Sequence, residues 1–81
     1  MSARWARRLD VSDVFRGDSP WPVRRDEMVR RVRRLDRDES DGELQDIADR
    51  LGEAEDFDEW DAPWNAFYDW ADWNRVWVVT R

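Results

Sequence analysis

The stretch from Phe57 to Val79, FDEWDAPWNAFYDWADWNRVWVV, constrains this chain more than any other part of it. It holds five of the seven tryptophans, Trp60, Trp64, Trp70, Trp73 and Trp77, together with Phe57, Phe67 and Tyr68. Asp58, Glu59, Asp61, Asp69 and Asp72 are threaded between the rings. Read as a helix, Phe57, Trp60, Trp64, Phe67, Tyr68 and Ala71 fall on one continuous stripe, the mark of a face turned to a core. Trp70 and Trp73 fall off it. Eighty-one residues make a single small domain over residues 1–81, and each tryptophan buried in it removes roughly 150–250 Å² from water. So small a body has one interior, so Trp21, Trp70, Trp73 and Trp77 are expected to leave aromatic surface outside it.

The chain has no cysteine and no histidine. That excludes disulfides, thiolate and imidazole metal sites, and the usual nucleophile–base pairs, so a non-enzymatic protein without a cofactor is expected. Carboxylates alone can hold Mg²⁺ or Ca²⁺. The nearest approach to a calcium loop, Asp36 to Gly42, lacks the closing glutamate at the right distance, so no metal site is expected. No apolar run approaches the ~20 residues of a membrane span, and no signal-peptide core begins the chain, which predicts a soluble, cytoplasmic protein.

The net charge of −6 divides unevenly. Residues 1–37 carry eleven arginines against six acids, +5, whereas residues 38–81 carry three arginines against fourteen acids, −11. Every cation is arginine. The basic part can fold onto the acidic part, or either can be offered to a partner.

Taken in order, Trp5 to Leu9 predicts a short strand, and Asp10 to Phe15 a turn that tucks Val14 and Phe15 inward. A helix is expected from about Pro20 or Pro22 to Arg34, with Asp18 or Ser19 as its cap and Met28, Val29, Val32 and Leu35 on its apolar face. Ser40-Asp41-Gly42-Glu43 reads as a capping box, followed by a helix that buries Leu44, Ile47, Ala48 and Leu51 and stops at Gly52. The aromatic helix can be capped by Asp56, Asp58 or Asp61, with Pro63 in its first turn or kinking it, and Asn74 ending it. Arg75 to Thr80 is β-branched and reads as a strand, which needs a partner for its backbone groups. The expected fold is α+β: three short helices packed on a two-stranded antiparallel ribbon formed by the N- and C-terminal segments.

Three candidate surfaces follow. Arg30, Arg31, Arg33 and Arg34 lie on one helix and can track a nucleic-acid backbone, although a chain of net −6 disfavours direct nucleic-acid binding and these side chains can equally pair with its own acids. The carboxylate-rich half can imitate a phosphate backbone, or simply supply solubility and helix-capping charge. The surplus aromatics are the strongest signal, because exposed tryptophan marks contacts with another chain. Trp70, Trp73, Trp77 and Trp21 are the expected anchors, with Asp69 and Asp72 as a polar rim.

Three pieces carry a resemblance: Arg8 to Phe15 (RLDVSDVF), Arg24 to Arg31 (RRDEMVRR) and Phe67 to Val78 (FYDWADWNRVWV). They resemble the outline "VDVSDVF", "RRDAIV" and "YD-AD-DRVWI" of a family of small acidic proteins encoded by bacteriophages of actinobacteria, mycobacteriophages especially. The likeness runs in order over most of the chain, departing at Leu9, at Trp73-Asn74 and in the extra tryptophans. It carries no activity onto particular residues. It implies an accessory product made in a host cytoplasm, where small proteins bind and redirect host proteins. The expected function is therefore an interaction module that binds and modulates a host protein through an acidic, tryptophan-rich face. The alternatives are an acidic nucleic-acid mimic or transcription-linked regulator, and a homodimeric structural protein.

Overall fold

The computed structural model describes residues 7–36 and 41–81. Trp5, Arg37, Asp38, Glu39 and Ser40 therefore lie outside the described residues. The described chain runs β1 (Arg7–Asp10), α1 (Ser12–Phe15), α2 (Trp21–Arg33), α3 (Gly42–Gly52), α4 (Phe57–Trp73) and β2 (Val76–Val79).

β1 ends where the Asp10 carboxylate accepts hydrogen bonds from the Ser12 N–H (2.9 Å) and hydroxyl (2.6 Å), which folds the chain into α1. This segment, expected to be a turn, is one helical turn that leaves Val14 and Phe15 half-buried and Val11 fully buried. Gly17 closes it, since a Cβ there would sit 2.9 Å from the Asp13 carbonyl oxygen. α2 begins with Pro20 in the capping position and Pro22 in its first turn, where a missing N–H costs nothing. Neither Asp18 nor Ser19 caps it, contrary to the sequence expectation. Met28, Val29 and Val32 are buried and Leu35 packs against them.

α3 is capped by Asp41, whose Oδ1 accepts from the Leu44 N–H at 3.0 Å. It buries the expected Leu44, Ile47, Ala48 and Leu51. α4 is capped by Asp56, which accepts from the Glu59 N–H (2.9 Å), while Glu59 reaches back to the Glu55 N–H (2.7 Å). Pro63 lies inside this helix. The helix ends at Asn74, whose side-chain amide donates to the Trp70 carbonyl at 2.8 Å, and Arg75 then turns the chain with φ 57°.

Consecutive elements pack on one another, α1 on α2, α2 on α3, α3 on α4 and α4 on β2, and β1 pairing with β2 closes the arrangement. The pairing is parallel, with Arg7 opposite Val76, Arg8 opposite Trp77, Leu9 opposite Val78 and Asp10 opposite Val79. This corrects the antiparallel ribbon expected from the sequence. The physical reason is the number of reversals. α1 is too short to cross the molecule, so three long helices separate the strands, and successive antiparallel passes return the chain in its starting direction. The guanidinium of Arg7 also donates to the Leu35 carbonyl, tying β1 to the end of α2.

The core is a row of rings along α4. Trp60, Trp64 and Phe67 are buried, as the stripe predicts, and stack in sequence with centroids 5.0 Å apart at both steps. Trp21 meets Trp60 edge-on at 5.5 Å, and Phe67 continues the row to Trp70 at 5.9 Å. The indole N–H groups of Trp60 and Trp64 are buried without a hydrogen-bond partner. Each such donor costs about 1–3 kcal/mol, which ring stacking and apolar burial offset.

Candidate functional site

The buried arc of α4 is rotated from the stripe read in the sequence. At ~100° per residue, Trp70 lies ~60° to one side of Phe67 and Tyr68 ~100° to the other. α3 covers the Trp70 side. Trp70 is 4% exposed, and its Nε1 donates to Asp41 Oδ2 at 2.8 Å. It is a core residue, and the expectation that it anchors a partner is corrected. Trp21 is half-buried, with its Nε1 donating to the Ala54 carbonyl at 3.0 Å and its ring beneath the Arg24 guanidinium. It too faces inward, so it does not belong with the exposed aromatics.

Tyr68, placed on the core stripe by its spacing, is instead 39% exposed, and Phe57 at the start of α4 is likewise partly exposed. Trp73 is 88% exposed on the last turn of α4, and Trp77 is 52% exposed on β2. Arg8 lies over the Trp77 ring, 5.7 Å from its centroid, and so covers one face of that indole.

Asp69, Asp72 and Trp77 line a single groove of about 320 Å³, completed by Tyr68, Ala71, Val76 and Val78. A second hollow of about 350 Å³, lined by Asp72, Trp73 and Arg75, adjoins it at Asp72. Two turns of α4 and the strand after it thus bring together four of the expected residues: Asp69, Asp72, Trp73 and Trp77. Tyr68 joins them, a residue the spacing had assigned inward. The groove exists because Arg75, in the left-handed region, reverses the chain within two residues and sets β2 beside the helix it has just left.

The basic helix is engaged elsewhere. Arg31 is its hub: Nη1 and Nη2 grip the two oxygens of Asp13 (2.7 and 3.1 Å), Nε binds Glu27 (2.9 Å), and Nη1 also donates to the Asp10 carbonyl (3.1 Å). These bonds hold the Asp13 and Glu27 carboxyls below their ordinary values and push the Arg31 guanidinium above its own. Arg30 pairs with Glu27, and Arg33 with Asp49 of α3 at 2.7 Å. Arg34 has no ion-pair partner among the described residues. Three of the four arginines proposed for nucleic acid therefore already hold carboxylates of this chain.

Among the described residues, no group of three or more Asp or Glu side chains is arranged to hold a metal ion, and no helix is long and apolar enough to cross a membrane. Comparison with protein-family models, with curated proteins and with solved structures found no match to this chain.

Proposed function

We propose that the protein is a non-enzymatic interaction module that binds and modulates a host protein through the face formed by Tyr68, Asp69, Asp72, Trp73 and Trp77. The observation that carries this reading is Trp73, a large ring 88% exposed beside a groove with two carboxylates. A free chain gains nothing from holding an indole in water, whereas tryptophan dominates binding energy once it is covered. Asp69 and Asp72 would keep the free face hydrated and rim the contact once formed. The resemblance to actinobacteriophage proteins suggests a phage accessory role in the host cytoplasm.

The test is affinity capture from an actinobacterial host lysate, with the native chain beside a Trp73→Ala/Trp77→Ala variant of unchanged circular dichroism. Retention of a partner by the native chain alone is expected. Equal retention by both would remove this face from the function. The rival reading, an acidic nucleic-acid mimic, draws on the exposed carboxylates of α3 and the first half of α4, such as Glu43, Asp46, Asp58 and Asp61. It predicts capture that collapses between low and moderate salt, where aromatic anchoring predicts little change.

A further inference from the structure

We propose that the groove between α4 and β2 receives an arginine side chain presented by the partner protein. The guanidinium lies between Asp69 and Asp72, and the stem runs along the Tyr68 and Trp77 rings. This rests on the reading of the same face as a protein-binding surface and names the group that the face takes.

The groove of about 320 Å³ lies at the lower end of the range for ligand sites, so it suits one side chain rather than a large metabolite. Its floor is apolar, because Ala71 and Val76 are each only 2% exposed. The Tyr68 ring stands edge-on to buried Trp64 with centroids 5.4 Å apart, which holds it in place beside the groove. Trp77 borders the groove from β2. Asp69 and Asp72 stand three positions apart on α4, so their side chains are neighbours on one helical face, with Cβ atoms about 5–6 Å apart. Both are exposed, and neither has an ion-pair partner among the described residues.

Aromatic walls, an apolar floor and two unpaired carboxylates together fit a cation with a flat, weakly hydrated head and an apolar stem. Arginine is that cation: its methylenes lie on apolar surface, its guanidinium stacks on rings, and its fork can bridge two carboxylates at once. The molecule already makes each of these charged contacts internally. Arg31 holds Asp13 and Glu27 together, and Arg8 and Arg24 lie over the Trp77 and Trp21 rings at 5.7 and 5.5 Å. Lysine is a poorer fit, since its compact, strongly hydrated charge cannot fork across two acids. The cations of this chain leave the place open. Arg8 is matched by Asp10 at 3.4 Å, and Arg75, which lines the adjoining hollow with Asp72, forms no ion pair among the described residues. With Arg75 set against Asp69 and Asp72, the face still keeps an excess of negative charge. A second copy of this chain, carrying −6, is a poorer occupant than a basic partner, because like charge opposes its approach.

The experiment is an NMR titration of the full chain, at low salt, with the capped peptide acetyl-Gly-Arg-Gly-amide. It follows the Trp77 indole N–H, assigned with Trp77→Phe, and the backbone amides of Asp69 and Asp72. Saturable shifts at all three are expected, with half-saturation on the order of millimolar. The lysine peptide should bind about three- to tenfold more weakly, and a peptide with citrulline, the neutral isostere of arginine, should give no saturable shift. Asp69→Asn/Asp72→Asn should weaken the arginine peptide about three- to tenfold. Asp58→Asn/Asp61→Asn, the same change of charge on exposed positions of the same helix, should leave it within about twofold. Equal weakening by the two pairs would overturn the site in favour of diffuse attraction to an acidic protein. Equal binding of the lysine peptide would overturn the assignment to arginine. Mass that grows with protein concentration, and no longer does so in Asp69→Asn/Asp72→Asn, would give the groove to a second copy instead. No saturable shift at Trp77 with any peptide would sink the inference, whereas the capture experiment with Trp73→Ala/Trp77→Ala judges the aromatic face independently.

Discussion

The indole N–H of Trp70 and the backbone N–H of Leu44 share one carboxylate, that of Asp41, each taking a different oxygen at 2.8 and 3.0 Å. One side chain thus caps α3 and fastens α4 to it. Asp41→Ala removes the cap, worth about 1 kcal/mol, and strands a buried indole donor, worth about 1–3 kcal/mol more. The expected loss in urea unfolding is about 2–4 kcal/mol, with Asp41→Asn in between because its amide offers one acceptor atom. A double-mutant cycle with Trp70→Phe should show coupling of about 1 kcal/mol. Additivity of the two changes would mean that the hydrogen bond from Trp70 to Asp41 contributes nothing, leaving the carboxylate only its role as the α3 cap.

Arg31 joins α1 to α2 through the Asp13 and Glu27 carboxylates, which titrate in acid, and reaches β1 through the Asp10 backbone carbonyl. Hydrogen bonds from Arg31 lower Asp13 and Glu27 from ordinary values of 3.8 and 4.5. Those from Ser12 lower Asp10 likewise. A carboxyl lowered in the folded state stabilises above its unfolded pKa, and that contribution is lost as pH falls through the folded value. Stability should therefore be level from pH 7 to about pH 5 and decline below the ordinary carboxyl range. In Arg31→Gln the decline between pH 5 and pH 3 should be shallower than in the native chain, as measured by chemical denaturation at each pH. An unchanged slope would show that other carboxylates govern the acid response.

The helical faces were legible because they obey a local period. Leu44, Ile47, Ala48 and Leu51 repeat with α-helical spacing, and so do Trp60, Trp64 and Phe67; all are buried. That the two terminal segments pair was also legible, since a strand must satisfy its backbone. Their direction was misread because it depends on how often the chain reverses between them, and three long helices give the parallel answer. Trp70 was misplaced for a different reason. It and Tyr68 flank the same stripe, and only the arrival of Asp41 from α3 decides which side is covered. The pairing of Arg31 with Asp13 spans 18 positions and leaves no mark in local spacing.

Arg75 holds φ 57° directly after the last turn of α4, a region that costs any residue with a Cβ. Arg75→Gly is expected to stabilise the fold by about 0.5–1 kcal/mol, partly offset by the greater freedom of glycine in the unfolded chain. That corresponds to a rise in Tm of about 2–6 °C by calorimetry. A fall in Tm would indicate that the Arg75 side chain, which lines the hollow beside Trp73, makes contacts outweighing the backbone cost.

Trp70 and Trp73 stand three positions apart on one helix and should behave as opposites. Trp70 is packed in the aromatic row and hydrogen-bonded, so Trp70→Ala should cost about 3–5 kcal/mol, a large share of the stability of a domain this size. Trp73 is almost wholly in water, so Trp73→Ala should change stability by no more than about 0.5 kcal/mol and leave the unfolding transition as steep as before. If Trp73→Ala also fails to capture a partner, that failure can then be attributed to the surface rather than to the fold. If Trp73→Ala instead destabilises the chain as Trp70→Ala does, the ring is working inside this molecule, and the exposed face loses its principal anchor.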